Sequence, residues 1–343
     1  IFCLYDIDET PRTVGISEHI GMITGSYSVV KCNKLINEKF LYYHYLSIDD
    51  VKGLKPFYTG LRKVVRTETF LSIKVRVPPL QEQIQISNYL DNKTSKIDSL
   101  IRMTEKKIEL LKEQRISIIN KAVTKGLNPN AEMKDIGVEW IGMIPSKWTT
   151  KRMCYIFKTT SIKNTINELN LSVYRDYGVI PTNSRDDNHN VISEDISNYK
   201  LVEEGDFVMN KMKCWQGSLG LSDFRGIVSP SYTVMKPLIK NIHKYLHYLL
   251  RSNIYIPQYI RLSYGVRIGQ WDLRFQDFRE LPCLIPPIKE QQEIVDHLDK
   301  ESLKIATLID NASKRIDLLK EYRQSLISDV VTGKVDVRNE VLT

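Results

Sequence analysis

The segment MNKMKCWQGS, residues 209–218, sets two ammonium groups, Lys211 and Lys213, beside an indole and a carboxamide, Trp215 and Gln216. In an extended strand the two lysines share one face and suit phosphate contacts. The Gln216 amide offers a donor and an acceptor side by side, the pattern that fits an adenine edge. The competing reading makes Trp215 a core residue and leaves the lysines solvated. A second basic and aromatic stretch, YGVRIGQW at 264–271, sets Tyr264, Arg267 and Gln270 around two glycines. Those glycines let backbone approach a ligand closely, and Arg267 can grip phosphate or guanine. Residues 58–63, YTGLRK, repeat this pattern in Tyr58, Gly60 and Arg62, followed by Lys63, which points to a shared task such as phosphate contact. Ser229 and Tyr232, in GIVSPSYTV at 226–234, are further candidates, with ordinary strand residues as the alternative.

Other chemistry is missing from the chain. The proline pairs are preceded by Val77 and Ile285 and followed by Leu80 and Ile288, so neither forms the D/N-P-P-aromatic site of an amino-methyltransferase. There is no GxxxxGK[ST] phosphate loop, and Thr332-Gly333-Lys334 only ends a helix. Asp186-Asp187 and Glu203-Glu204-Asp206 lack a nuclease lysine arrangement and read as loop residues. His243 and His247, spaced i, i+4, can bind a metal on a helix, but an earlier segment echoes His247 with His44 and replaces His243 with Phe40, which favours a structural helix. We expect no catalytic and no metal-ligating residues. Five scattered cysteines, never as CxxC, argue against a disulfide framework and a zinc site and fit a reducing cytoplasm. No run of about 18 apolar residues exists to span a membrane. The net charge of +8 suits a polyanion such as nucleic acid, or simply a mildly basic soluble protein.

The elements that must position these residues are duplicated. Residues 78–125 and 286–333 align without a gap and are identical at 22 of 48 positions. PP, EQ, LD, KxIxLLKExR and VT all recur, more than a shared helical period requires. Each copy reads as a proline stop followed by a long helix. Ile97, Ile101, Thr104, Ile108, Leu111, Arg115, Ile118 and Ala122 form a heptad seam, matched by Ile305, Ile309, Ala312, Ile316, Leu319, Arg323, Leu326 and Val330. Gly126 and Gly333 stop the helices. Two matching seams in one chain are expected to pack on each other, antiparallel. Arg115 and Arg323 fall on the seam, where a charge is costly unless paired. They read as register or subunit-interface features, with a solvated seam end as the alternative. Upstream, Tyr43-His44-Tyr45-Leu46 echoes Leu246-His247-Tyr248-Leu249, Gly60-Leu61-Arg62 echoes Gly265-Val266-Arg267, and Ser26-Tyr27 echoes Ser231-Tyr232. The second unit opens with GVEWIGMIPSKW at 137–148, and the repeat offset puts the first unit's equivalent about seventy residues before Ile1. The first domain is therefore expected to be a C-terminal part only.

IGVEWIGMIPSKW, GDFVMNKMKCWQGSLGLS at 205–222, GIVSPSYTV and the twice-written PPxxEQ helix together resemble the specificity subunit of Type I restriction-modification systems, over essentially the whole chain. The resemblance implies an α+β fold with tandem target-recognition domains of mixed strand and helix, each followed by a long helix, the two helices forming an antiparallel coiled coil. Residues 1–79 are then the end of the first target-recognition domain and 80–126 the first spacer helix. A linker covers 127–136, the second domain 137–285, the second spacer helix 286–333 and a tail 334–343. It implies a non-catalytic, cytoplasmic partner of double-stranded DNA that reads a bipartite target. It further implies assembly with modification (methyltransferase) subunits and restriction (translocase/nuclease) subunits. S-adenosylmethionine, ATP and Mg2+ belong to those partners and no cofactor to this chain. The alternatives are a self-sufficient DNA-modifying or DNA-cleaving enzyme, against which the missing motifs speak, and a protein-only coiled-coil scaffold.

Overall fold

Pro79 and Pro287 stand immediately before the two longest elements, in a computed structural model that describes residues 1–4, 10, 12–61, 63–163, 168–175, 177–184, 195–239, 242–265 and 271–340. In chain order these described residues form β1 (Phe2–Cys3), β2 (Tyr27–Ser28), α1 (Glu38–Asp50), α2 (Thr67–Ser72) and the long α3 (Leu80–Lys125). Then follow β3 (Met133–Lys134), β4 (Ile144–Pro145), β5 (Thr149–Arg152), β6 (Phe157–Thr160), β7 (Leu171–Tyr174) and β8 (Gly178–Pro181). The next strands are β9 (Lys200–Val202), β10 (Phe207–Asn210), β11 (Leu219–Leu221), β12 (Gly226–Val228) and β13 (Tyr232–Pro237). The chain continues through α4 (His243–Leu250), α5 (Ile256–Leu262), α6 (Phe275–Phe278), β14 (Pro282–Ile285) and the long α7 (Ile288–Val331). The fold is α+β. No described helix is long and apolar enough to cross a membrane.

Two compact units result, Ile1–Glu109 with Leu308–Thr343, and Leu110–Thr307. Each holds one half of α3 and one half of α7. The first unit packs Phe40, Leu46 and Phe70 against Leu90 and Ile97 of α3 and Ile327 and Val330 of α7. There Gln85 donates to the carbonyls of Val337 and Glu340 while Asp98 pairs with Arg323, so the chain directions oppose. The heptad seam is the covered stripe: Ile97, Leu111, Ala122, Ile305, Ala312, Ile316, Leu326 and Val330 are buried. Gly126 and Gly333 end the helices at φ +72° and +77°, the left-handed conformation that glycine adopts without a Cβ penalty.

In the second unit the four-stranded antiparallel sheet β11-β10-β13-β6 carries the core. Alternation along β10 sends Phe207 and Met209 to a cluster with Tyr245, Leu249, Tyr259 and Leu298, and Val208 to a smaller cluster with Val173, Val202, Val228 and Val234.

The recurring letters acquire physical roles. Gln83 is buried, its Oε1 accepts from the Asn37 N–H (2.8 Å), and its Nε2 donates to the Pro78 carbonyl (2.9 Å). Gln291, equally buried, accepts from the Ile242 N–H (3.0 Å) and donates to Pro286 (2.9 Å). The EQ glutamine thus fastens the start of each long helix to the start of α1 or α4. The LD aspartates also match: Asp91 accepts from Tyr43 and Lys39, Asp299 from Tyr248 and Lys244. That register corrects the sequence pairing of Tyr43-His44-Tyr45-Leu46 with Leu246-His247-Tyr248-Leu249. Tyr43 corresponds to Tyr248, two residues from the expected match, because the hydrogen bond to aspartate fixes the helix face and the lettering does not.

Candidate nucleic-acid interface

β10 and β11 are antiparallel neighbours, so the chain must reverse between Asn210 and Leu219. Asn210 starts the reversal: its Oδ1 accepts from the Met212 N–H (3.1 Å) and its carbonyl from the Lys213 N–H (3.1 Å). A single 3-10 turn follows at Cys214–Gln216, closed by Gly217 at φ +90°. A Cβ on Gly217 would meet Ile256 at 3.2 Å. The extended-strand reading of Lys211 and Lys213 is therefore corrected: the strand stops at Asn210, and the lysines lie on a turn anchored by the buried Cys214. Lys213 is exposed, and Lys211 and Gln216 are half-buried. Trp215 is half-buried too, with its Nε1 donating to the Met212 carbonyl (3.1 Å) and its ring 5.0 Å from that of Trp271.

A second segment joins the first. Tyr264 and Asp272 exchange backbone hydrogen bonds of 3.0 and 2.7 Å, and the Leu273 N–H donates to the Lys211 carbonyl (3.0 Å). The turn carrying Lys211 and Trp215 is thereby joined to the bridge of Tyr264 and Asp272, some fifty residues on in sequence. Arg267 and Gln270 lie outside the described residues, as does Arg62. Sequence reasoning missed two cations here. The Arg274 guanidinium lies 6.0 Å from the Tyr264 ring centroid, a cation–π arrangement. Lys200, from β9, donates to the carbonyls of Tyr232 (2.6 Å) and Pro230 (3.3 Å). Burial lowers the Lys200 pKa, and the positive charges of Lys211 and Lys163 lower it further. Lys200, Lys211 and Arg274 border a depression with a volume of about 460 Å³. Arg274 had a sequence signal, since Arg66 stands 208 residues earlier at the same repeat offset. Nothing in the lettering around Lys200 points to Lys211.

Other candidates take different places. Tyr232 is buried with Val173, Val208 and Val228, and burial pushes its phenol up, so its expected surface role is corrected to packing. Ser229 is half-buried, its carbonyl accepting from the Tyr232 N–H (3.1 Å). In the first unit, Thr59 and Val64 form the bridge that Tyr264 and Asp272 form in the second, so Tyr58 sits one residue before the counterpart of Tyr264. Tyr58 is half-buried against that unit's core, and Lys63 is exposed in the left-handed region at φ +46°. Of the seam arginines, Arg323 forms a two-pronged pair with Asp98 at 2.9 and 3.3 Å. Arg115 is exposed, which corrects its place on the covered seam: Ala306 occupies the position equivalent to Asp98. His247 is a structural residue, its Nδ1 accepting from the Leu221 N–H (3.1 Å). Among the described residues no cluster of three or more His, Cys, Asp or Glu is placed to hold a metal ion.

Comparison with known proteins places this geometry. The family described as the Type I restriction modification DNA specificity domain matches residues 22–113 and 145–316. The type I restriction enzyme MjaVIII specificity subunit of Methanocaldococcus jannaschii is 23% identical over 325 residues, covering 90% of this chain and 72% of that protein. The EcoKI specificity subunit of Escherichia coli K12 is 21% identical over 291 residues, covering 79% of this chain but 60% of its own length. In structure, a chain from a study of complex assembly and conformational transition in a type I R-M system matches with a TM-score of 0.68 at 14% identity, over 91% of this chain and 75% of that one. The HsdS subunit from Thermoanaerobacter tengcongensis matches with a TM-score of 0.50 at 14% identity, over 88% and 72%. The family match covers most of the sequence and takes in part of each copy of the duplication, and the chain belongs to the type I restriction-modification DNA specificity family.

Proposed function

We propose that this chain reads DNA sequence for a type I restriction-modification assembly, one half-site per globular region, and leaves methyl transfer and cleavage to partner subunits. The observation that carries this reading is the cationic and aromatic surface made where the 211–216 turn meets Tyr264 and residues 271–274, with Lys200 added from β9. Cations at phosphates position a reader, and polar side chains between them meet base edges. The proposed assignment keeps residues 1–79 and 137–285 as target-recognition regions and the long helices as spacers, with the chain acting in the cytoplasm.

Partner docking has its own support. Leu110 and Leu318, identical across the duplication, are 54% and 65% exposed, so packing within the chain does not account for both being leucine. A matched exposed leucine on each long helix suits two docking faces for modification subunits, with restriction subunits joining the assembly. S-adenosylmethionine, ATP and Mg2+ are assigned to those partners.

Filter binding of duplex DNA across a salt series tests the reading. Affinity should fall with a log–log slope of about −0.9 per phosphate neutralised. Salt-insensitive or absent binding, even with a modification subunit present, favours a protein-only scaffold. Methyl transfer by the chain alone from labelled S-adenosylmethionine would make it an enzyme instead.

A further inference from the structure

We propose that the depression bordered by Lys200, Lys211, Asp272 and Arg274 is a base-reading subsite: Asp272 accepts a hydrogen bond from the exocyclic amino group of a cytosine or an adenine, and the three cations hold neighbouring phosphates. This rests on the DNA-reading function proposed above and assigns it to particular atoms.

Asp272 lines the depression, and its Oδ1, screened from water, has no hydrogen-bond partner among the described residues. None of the three cations forms an ion pair with it among those residues, although all border the same depression. Asp272 is half-buried overall, so its carboxylate still offers acceptor capacity to a donor entering the depression. A carboxylate accepts only. It therefore favours the amino groups of cytosine and adenine and repels the acceptor edge of guanine and the O4 of thymine. Cations around it are needed to bring a polyanion that close.

The duplication supplies an internal control. Val64 stands on the bridge where Asp272 does, and the Leu4 carbonyl accepts from the Val65 N–H (3.0 Å) as the Lys211 carbonyl does from Leu273. Arg66 and Arg274 both immediately precede the short helices α2 and α6. The scaffold and the arginine are common to both regions, whereas the carboxylate belongs to one. That is the division expected when the arginine meets backbone and the divergent residue meets a base.

Selection of the chain on a randomised duplex DNA pool tests this, using wild type, Asp272→Asn, Asp272→Val (the residue of the first region) and Arg274→Ala. Wild type should enrich a motif with cytosine or adenine at one position. Asp272→Val should lose preference at that position alone, by about tenfold, with undiminished affinity for the unselected pool, and Asp272→Asn, whose amide donates as well as accepts, should admit guanine or thymine there. Arg274→Ala should weaken all duplexes alike and leave the motif unchanged. An unaltered motif in both Asp272 variants overturns the subsite, and so does uniform weakening by both, which would mark Asp272 as scaffold. A wild-type chain that enriches no motif overturns DNA reading itself, and the subsite with it.

Discussion

His247 shows how much one residue can be committed to structure. Its ring packs 3.3 Å from the Cβ position of Gly178 and 3.2 Å from that of Gly220, so both glycines leave room for it. Burial, helped by the charges of Arg251 and Lys244, holds its pKa down to about 3 from 6.5. The folded state keeps this ring neutral while the unfolded state takes up a proton. The stability it contributes is complete above about pH 6.5 and is lost progressively as pH falls toward 3. Between pH 8 and pH 5 that loss should be about 2 kcal/mol. His247→Asn, which keeps an acceptor for the Leu221 N–H, should show a correspondingly smaller drop in urea midpoint over the same range. Equal drops would remove His247 as the source. At the surface, Lys213→Ala should weaken binding to all duplexes similarly, because an exposed ammonium meets phosphate. Gln216→Ala should relax base preference in one half-site, read by methylome sequencing of cells carrying each variant. An unchanged motif removes Gln216 from the reading surface.

The elements owe their joints to residues whose importance the lettering announced and whose task it hid. Each EQ glutamine satisfies a part-buried backbone N–H where a helix begins, Gln83 also donating to the carbonyls of Leu35 and Pro78 and Gln291 to that of Pro286. Gln291→Ala would orphan the Ile242 N–H, and a cost of about 1–3 kcal/mol is expected in chemical denaturation. Gln83→Ala should cost a similar amount, and an unshifted midpoint in both would make the clamp incidental. The helix ends behave likewise. At Gly126 a Cβ would meet the Glu290 Oε1 at 2.8 Å and the Trp148 ring at 3.4 Å, on a backbone already at φ +72°. The long helices, their glycine stops and their seam were legible because apolar period and terminal glycine are local signals. The turn at 211–217 was not, because Asn210 bonding its own neighbours and Gly217 closing the curl override an apparent strand. Nor was the Asp98 partner of Arg323, 225 residues away, or the approach of Lys200 to Lys211, which rests on strand order.

At the scale of the whole molecule, duplication is the controlling fact, and it turns spacing into a property that can be edited. A helix of 46 residues, Leu80–Lys125, and one of 44, Ile288–Val331, are about 69 and 66 Å long at ~1.5 Å per residue. Their covered stripe repeats by heptads, so an insertion of seven residues preserves it and an insertion of four does not. In the proposed reading each globular region reads its own half-site and the helices set the gap. One heptad added to both helices, in register, lengthens each by about 10.5 Å, close to three base pairs at ~3.4 Å per pair. Methylome sequencing of cells carrying the lengthened chain should therefore report the same two half-sites separated by about three more base pairs. Because the Asp272 subsite and the 211–216 turn lie within residues 110–307 and away from the insertion, the bases read should not change. A changed half-site at constant gap would show that the helices shape the readers and do not space them. An unchanged motif would leave the long helices to hold partners alone.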